Sequence, residues 1–343
     1  MARRPELKIA TFNLYNLQLP GVAMYHGNTY SQKHYDSKIT WTADMLKRID
    51  ADIIGFQELW SPQALKDAFE AAGLENDYRI GAKLFPNSIA TAVAVKKPHE
   101  LVSRTWTKDF PKELVLKKRK SSGTSGVPDY KMSISADYFS RAILKARIKP
   151  RQGNHPAPEI LFYVAHLKSK LPIRLDKEES RKPSVKMHST AIGSALATIR
   201  RTAEAAALRV MLTKAMKGNN VPVVVVGDLN DTEHSVSNTI ITADPSYRLM
   251  VSSRRGSKSD VGLYSASSLQ EYRSLRDVNY THYFNGRHET LDHILVSEQF
   301  YDYSKRRKWS FKEMSVYNDF IDDEDKASSD HGVVAATFKY HPA

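Results

Sequence analysis

The chain contains no cysteine. That absence excludes a disulfide framework, a thiolate metal centre and a cysteine nucleophile, and it fits a reducing compartment. No run of about 18 apolar residues occurs, so no segment is long enough to cross a membrane as a helix. The first residues, "MARRPELKIATFNLYNL", are basic but have no apolar stretch ahead of the first strand-like run, which speaks against a secretory leader. Together these absences predict a cytoplasmic protein. Acidic charge is also short: 38 Asp and Glu stand against 51 Lys and Arg, a formal net charge of +13. That balance favours polyanions such as nucleic acid, anionic membrane or phosphorylated substrates, and equally describes an unexceptional basic surface.

What is present is ordinary globular material, 41% hydrophobic and 26% charged over 343 residues, enough to bury a sizeable core. Short β-branched runs alternate with helical patterns. "LKIATFNL", "ADIIGFQEL", "ATAVAVKK", "RAILKARIK", "EILFYVAHLK", "VPVVVVGDL", "ETLDHILVS" and "GVVAATFKY" read as strands. "SKITWTADMLKRI" reads as an amphipathic helix. "SPQALKDAFEAAGL" reads as a second helix, with Ser61 as N-cap, Pro62 at the first position and Gly73 at the stop. A long helix, "AIGSALATIRRTAEAAALRVMLTKAM", precedes the valine strand. Near-continuous apolar strands are buried on both faces, so the alternation argues for helices layered outside sheets. No linker divides the chain, and residues 1–343 are expected to form one domain. Two polar, basic segments, 117–129 and 168–189, read as exposed loops.

The chemistry gathers at strand ends. Asn13, Glu58, His166, Asp228 with Asn230, Asp292, and the Asp330–His331 pair each sit where an apolar run stops or starts. A single acid after a glycine often just closes a turn; six polar strand ends in one chain are hard to explain that way. Strand alternation puts Asp228 and Asn230 on one face and sends Leu229 into packing. The same alternation lets only one of Asp292 and His293 reach a pocket. Asp292 is the expected site residue and His293 a structural one. Asp231 is expected to be a turn residue.

"TFNL", "IIGFQEL", "AHLKSK", "VVVVGDLND", "TLDHILVS" and "SSDHGVV" occur in the order found in the endonuclease/exonuclease/phosphatase superfamily, the fold of deoxyribonuclease I. The resemblance covers about residues 7–340. It implies an α/β fold, a four-layer α/β/β/α sandwich with two packed mixed β-sheets, and a divalent-metal phosphoesterase. Glu58 then resembles the principal ligand of Mg²⁺ or Mn²⁺, with Asn13 and Asp330 beside the metal. Asp228 resembles the group that orients or deprotonates the attacking water, and Asn230 the group that helps place it. His331 resembles the donor that stabilises phosphoryl charge, with Asp292 holding its imidazole. His166 would bind a further phosphate oxygen or help protonate the leaving group. Abasic-site endonucleases of this superfamily tend to carry tyrosine at that place. The histidine is closer to deoxyribonuclease I, the neutral sphingomyelinases and the inositol polyphosphate phosphatases.

Three functions follow. A nuclease acting on DNA, as a monomer, fits the net charge, the runs "KKRK" (117–120) and "KRRK" (305–308), and Tyr15, Tyr25, Tyr30 and Tyr35 near the first strand. A phosphatase or phosphodiesterase on a small or lipid-linked phosphoester would use Lys168, Lys170, Arg174 and Arg181 equally well. A non-catalytic module would have lost a site residue, and none is missing.

Overall fold

In the computed structural model, which describes residues 6–118, 132–152, 155–243, 261–271, 280–284, 287–321 and 327–341, the main strands form two six-stranded sheets. In chain order they are β1 (Glu6–Leu17), β2 (Ile53–Leu59), β3 (Tyr78–Gly81), β4 (Ala90–Lys96), β5 (Glu100–Asp109), β6 (Tyr138–Lys149), β7 (Ile160–His166), β8 (Val223–Asp228), β9 (Tyr264–Ser265), β10 (Asp292–Val296), β11 (Trp309–Tyr317) and β12 (Val333–Tyr340). The first sheet runs β11-β12-β1-β2-β4-β3 and the second β9-β10-β8-β7-β6-β5. Each has one parallel pair at its centre, β1 with β2 and β7 with β8, and antiparallel neighbours elsewhere. The helices are α1 (Gln32–Ile49), α2 (Pro62–Ala71), two short turns α3 (Lys177–Arg181) and α4 (Pro183–Lys186), the long α5 (Ser189–Met216), α6 (Val236–Thr242) and α7 (Ala266–Glu271).

Three apolar clusters separate four layers. Leu7, Ile9, Ile53, Leu144, Val164, Val224, Val226, Ile294 and Val334 fill the space between the sheets. Ala10, Phe12, Ile54 and Phe56 turn outward onto Ile39, Leu46, Leu65 and Phe69 of α1 and α2. Tyr163, Val223, Val225 and Leu295 turn outward onto Leu208 and Leu212 of α5. The valine run is therefore apolar throughout because alternate residues feed two different cores. Gly55 keeps the sheets close at the centre: a Cβ there would run into Val226 and Val164 of the opposing sheet.

Several local expectations change. Helix α1 begins earlier than its apolar spacing suggests, capped by Ser31, whose hydroxyl accepts from the His34 amide at 3.2 Å. Ser61, Pro62 and Gly73 do bound α2 as expected. Segment 168–189 is partly helical rather than open loop. Of segment 117–129, only Lys117 and Lys118 are placed, and they pair with Met132–Ser133; the rest lies outside the described residues. No described helix is long and apolar enough to cross a membrane.

Candidate active site

The ends of β1, β2, β7 and β8 meet at one edge of the sandwich, where the antiparallel neighbours β10 and β12 begin. Alternation does most of the aiming. Asp228 continues the inter-sheet face of Val224 and Val226, His166 that of Phe162 and Val164, Asp292 that of Ile294 and Val296, and Asn13 that of Leu7 and Ile9. His166 and Asp228 are direct parallel partners, and Asp228 and Asp292 direct antiparallel ones.

Glu58 breaks the pattern. By parity with Ile54 and Phe56 it should face the helices. A register shift between Phe56 and Leu59 and a left-handed backbone (φ 59°) turn it instead toward the cleft. There its carboxylate accepts from the Asn13 amide at 3.3 Å and the Asn16 backbone N–H at 3.1 Å. Tyr15 (φ 47°), Asn16 (φ 61°) and Asn230 (φ 54°) are also left-handed. Such residues cost about 1–3 kcal/mol each and persist where the surroundings over-determine them. Asn230 shows that strand alternation is the wrong reason for its position. β8 ends at Asp228, and a left-handed turn folds Asn230 back so that its amide donates to Asp228 Oδ2 at 3.1 Å and to the Leu167 carbonyl at 3.0 Å.

Asp228 is the hub. Asn13 Nδ2 donates to its Oδ2 at 3.3 Å, and that oxygen lies 3.4 Å from His166 Nε2 and 3.8 Å from His331 Nε2. Burial pushes its carboxyl up, the His331 charge opposes this, and the balance is about 7. His331 Nδ1 sits 2.7 Å from Asp292 Oδ2. Burial works against the charge of that imidazole, but Asp292 and Asp228 outweigh it and hold His331 well above its usual value. His166 goes the other way: burial, then Arg141 and His331, push it well below. Its Nδ1 is buried and unpartnered among the described residues, so a single proton is best placed on Nε2, facing Asp228. Glu58 is raised by burial and by the Asp330 carboxylate opposite. Asp330 Oδ1 is itself buried without a hydrogen-bond partner among the described residues. A carboxylate raised by a second carboxylate, whose own oxygen is orphaned, fits a hard divalent cation.

The sequence profile of the Endonuclease/Exonuclease/phosphatase family matches residues 10–331. The chain belongs to this family. No curated protein matches it in sequence. Solved structures share the fold at low identity. Humanized D. rerio TDP2 is 14% identical over 97% of this chain and 99% of its own, with a TM-score of 0.55. The human Nocturnin catalytic domain is 15% identical over 99% and 96%, with a TM-score of 0.55. The mannosyl-6-phosphatase Bt3783 of Bacteroides thetaiotaomicron is 16% identical over 97% and 100%, with a TM-score of 0.52. Membership of the family implies a divalent-metal-dependent phosphoester hydrolase.

Around these residues lies a cleft of about 480 Å³. Glu58, His166, Asp228, Asn230, Asp330 and His331 line it; Asn13 and Asp292 stand behind and hold them. Of the expected phosphate-binding cations, Lys170 lines the cleft and pairs with Glu289 at 2.7 Å. Lys168 does not line it: its ammonium folds back onto the Ser169 and Leu171 carbonyls. Arg174 is exposed and outside it. Arg141 and His282 are among the lining residues that sequence reasoning missed. Arg141 is internal to β6, and its guanidinium bonds the Leu167 carbonyl at 3.0 Å. His282 bridges to His331 from a separate hairpin, rings 4.9 Å apart. His293 faces away, bonded to the Asp231 carbonyl at 2.9 Å. Asp231 is more than a turn residue: it pairs with buried Arg201 at 3.2 Å and accepts from Ser237 at 2.6 Å. Tyr35 leaves the nucleic-acid candidates, since it is buried in α1 with its hydroxyl on Asp67 at 2.6 Å.

Proposed function

We propose that this protein is a divalent-metal-dependent phosphodiesterase that hydrolyses nucleic acid, with DNA as substrate. The observation that carries the reading is a buried Asp228 placed between two imidazoles of opposite protonation bias, in a cleft that Glu58 and Asp330 also line. A Mg²⁺ or Mn²⁺ held by Glu58 and Asp330, next to Asn13, would offset charge on the phosphate. Asp228, pushed up to about 7, is matched to take a proton from the attacking water near neutral pH. The amides of Asn13 and Asn230 hold that carboxylate in place. His331, charged and fixed by Asp292, donates to the phosphoryl oxygens as negative charge develops. Neutral His166 donates a hydrogen bond through Nε2. As water's oxygen bonds to phosphorus, the bond to the leaving oxygen breaks, and that oxygen takes the His331 proton. After product leaves, Asp228 gives its proton to water and His331 regains one from water, which restores the starting protonation. Arg141 and Lys170 add positive charge to the cleft for a polyanion. D. rerio TDP2, which has the same fold, has been solved with a single-strand DNA product.

The test is a substrate panel in Mg²⁺ or Mn²⁺: plasmid, single-stranded DNA, RNA, inositol phosphates and sphingomyelin. EDTA-sensitive DNA cleavage is expected, with Asp228→Ala and His331→Ala inactive. Turnover of a small phosphoester with no cleavage of any nucleic acid would overturn the reading in favour of a phosphatase.

A further inference from the structure

Beside the catalytic cleft is a second concavity of about 380 Å³, within the ~300–1,000 Å³ range of small-molecule sites. Its walls are aromatic: Tyr15, Tyr25, Tyr30 and His34, with the polar Asn28 and Thr29. The two concavities share Tyr15, Asn16 and Tyr25, so a chain leaving one enters the other.

The walls are held rigidly. Tyr30 donates its hydroxyl to the Asn16 carbonyl at 2.8 Å, and Trp60 Nε1 donates to Asn16 Oδ1 at 2.9 Å. The Asn16 N–H in turn binds Glu58, so the floor of this pocket is one hydrogen bond from the expected metal ligand. The His34 ring lies flat on Tyr30, centroids 4.6 Å apart and planes 10° apart. Tyr25 stands edge-on to Trp60 at 4.8 Å and keeps 43% of its surface exposed. His34 Nε2 is buried without a hydrogen-bond partner among the described residues. Helix packing accounts for Tyr35, with its satisfied hydroxyl, but nothing covers the exposed part of Tyr25 among the described residues.

The ligand that suits flat aromatic walls, one hydrogen-bonding edge and a phosphate site next door is a nucleobase within a strand. We propose that this pocket is a nucleobase subsite that receives the base adjoining the scissile phosphate and so selects nucleic acid over smaller phosphodiesters. It rests on the nuclease reading and names its specificity element.

The experiment compares a short single-stranded oligodeoxynucleotide with the same strand made abasic, one position at a time, around its cleavage site. The enzyme is wild type, His34→Ala, or Asn28→Trp, which fills the pocket without touching the cleft. For the intact strand both variants should lower kcat/KM about 5- to 100-fold, mainly through KM, the range of one base–aromatic stack. At one abasic position the wild type should lose a similar factor and the variants nothing more. Hydrolysis of bis-p-nitrophenyl phosphate, which has no base, should stay within about twofold and reports that the variants are folded. Equal effects on intact and abasic strands, or none on either, overturn the subsite while the nuclease reading stands. A wild type that cleaves no nucleic acid, but does hydrolyse the small diester, removes both.

Discussion

Asp292 illustrates how much of a site lies one residue behind it. Its carboxylate does not line the cleft, yet it sets both the orientation and the charge of His331 at 2.7 Å. Asp292→Asn keeps the shape and removes the charge. The expected result is a kcat lower by about 10²- to 10⁴-fold, the scale of a lost acid–base partner, with KM within a few-fold. Steady-state kinetics on the best substrate of the panel separates the two constants. A rise in KM alone would mean that Asp292 serves binding only. The pairing of Asp292 with His331 could not be read as a contact from sequence, since 39 residues separate them. The parity argument did put Asp292 rather than His293 on the inter-sheet face, because it depends only on the period of a strand.

Among the elements, α5 carries the least legible feature. Glu204 reads as one more charge on a long helix, but it is fully buried. Its carboxylate accepts from the Ser140 N–H at 2.7 Å, the Lys168 N–H at 2.8 Å and Arg200 Nε at 3.1 Å. It thereby ties β6, next to Arg141, to the segment leaving β7 just past His166. Glu204→Ala would strand two backbone donors at about 1–3 kcal/mol each. We expect a loss of about 2–6 kcal/mol in urea unfolding; an unchanged midpoint would show that the clamp is dispensable. Gly227 is the opposite kind of case. Its backbone is left-handed in sense (φ 144°), and a Cβ there would overlap the Ala165 carbonyl of the neighbouring strand. The sequence displays the glycine but not the contact that requires it.

At the scale of the molecule, charge has to be sorted by place. The run 305–308 follows β10 at the end of the sandwich away from the cleft, where Arg306 pairs with Glu298 at 3.1 Å. Net charge predicts affinity for polyanions but cannot say which end they meet. Lys305→Ala with Arg307→Ala should leave kcat/KM on DNA within about twofold, whereas Arg141→Ala should lower it by about tenfold or more, the size of one lost charge-assisted hydrogen bond. A loss from the 305/307 pair instead would relocate the binding face. Stability should carry an acid limb from Glu233. Burial opposes its ionisation, but the hydroxyls of Ser268, Ser265 and Ser267 and nearby His293 win and lower it below 4.5. A carboxyl lowered on folding contributes stability above its unfolded value and loses it as pH falls through the folded one. Thermal melts of Glu233→Gln should therefore converge with wild type below about pH 4 and lie lower above about pH 5. Parallel curves would exclude the linkage.

The sequence by itself determined the periodic part of this protein. Near-continuous apolar runs dictate sheets buried on both faces, helix patterns dictate the outer layers, and polar residues at strand ends name Asn13, His166, Asp228 and Asp292, because these follow from a local repeat. The tertiary structure decided what local repeat cannot express. Only the backbone turn at Glu58 brings that carboxylate to the cleft against its own parity. Only the packing of one sheet on the other sets Asp228 between His166 and His331 and lets the Asp330 charge raise Glu58. Protonation states then follow from burial and from charges far apart in the chain, which is why the site's chemistry, unlike its address, emerges only in three dimensions.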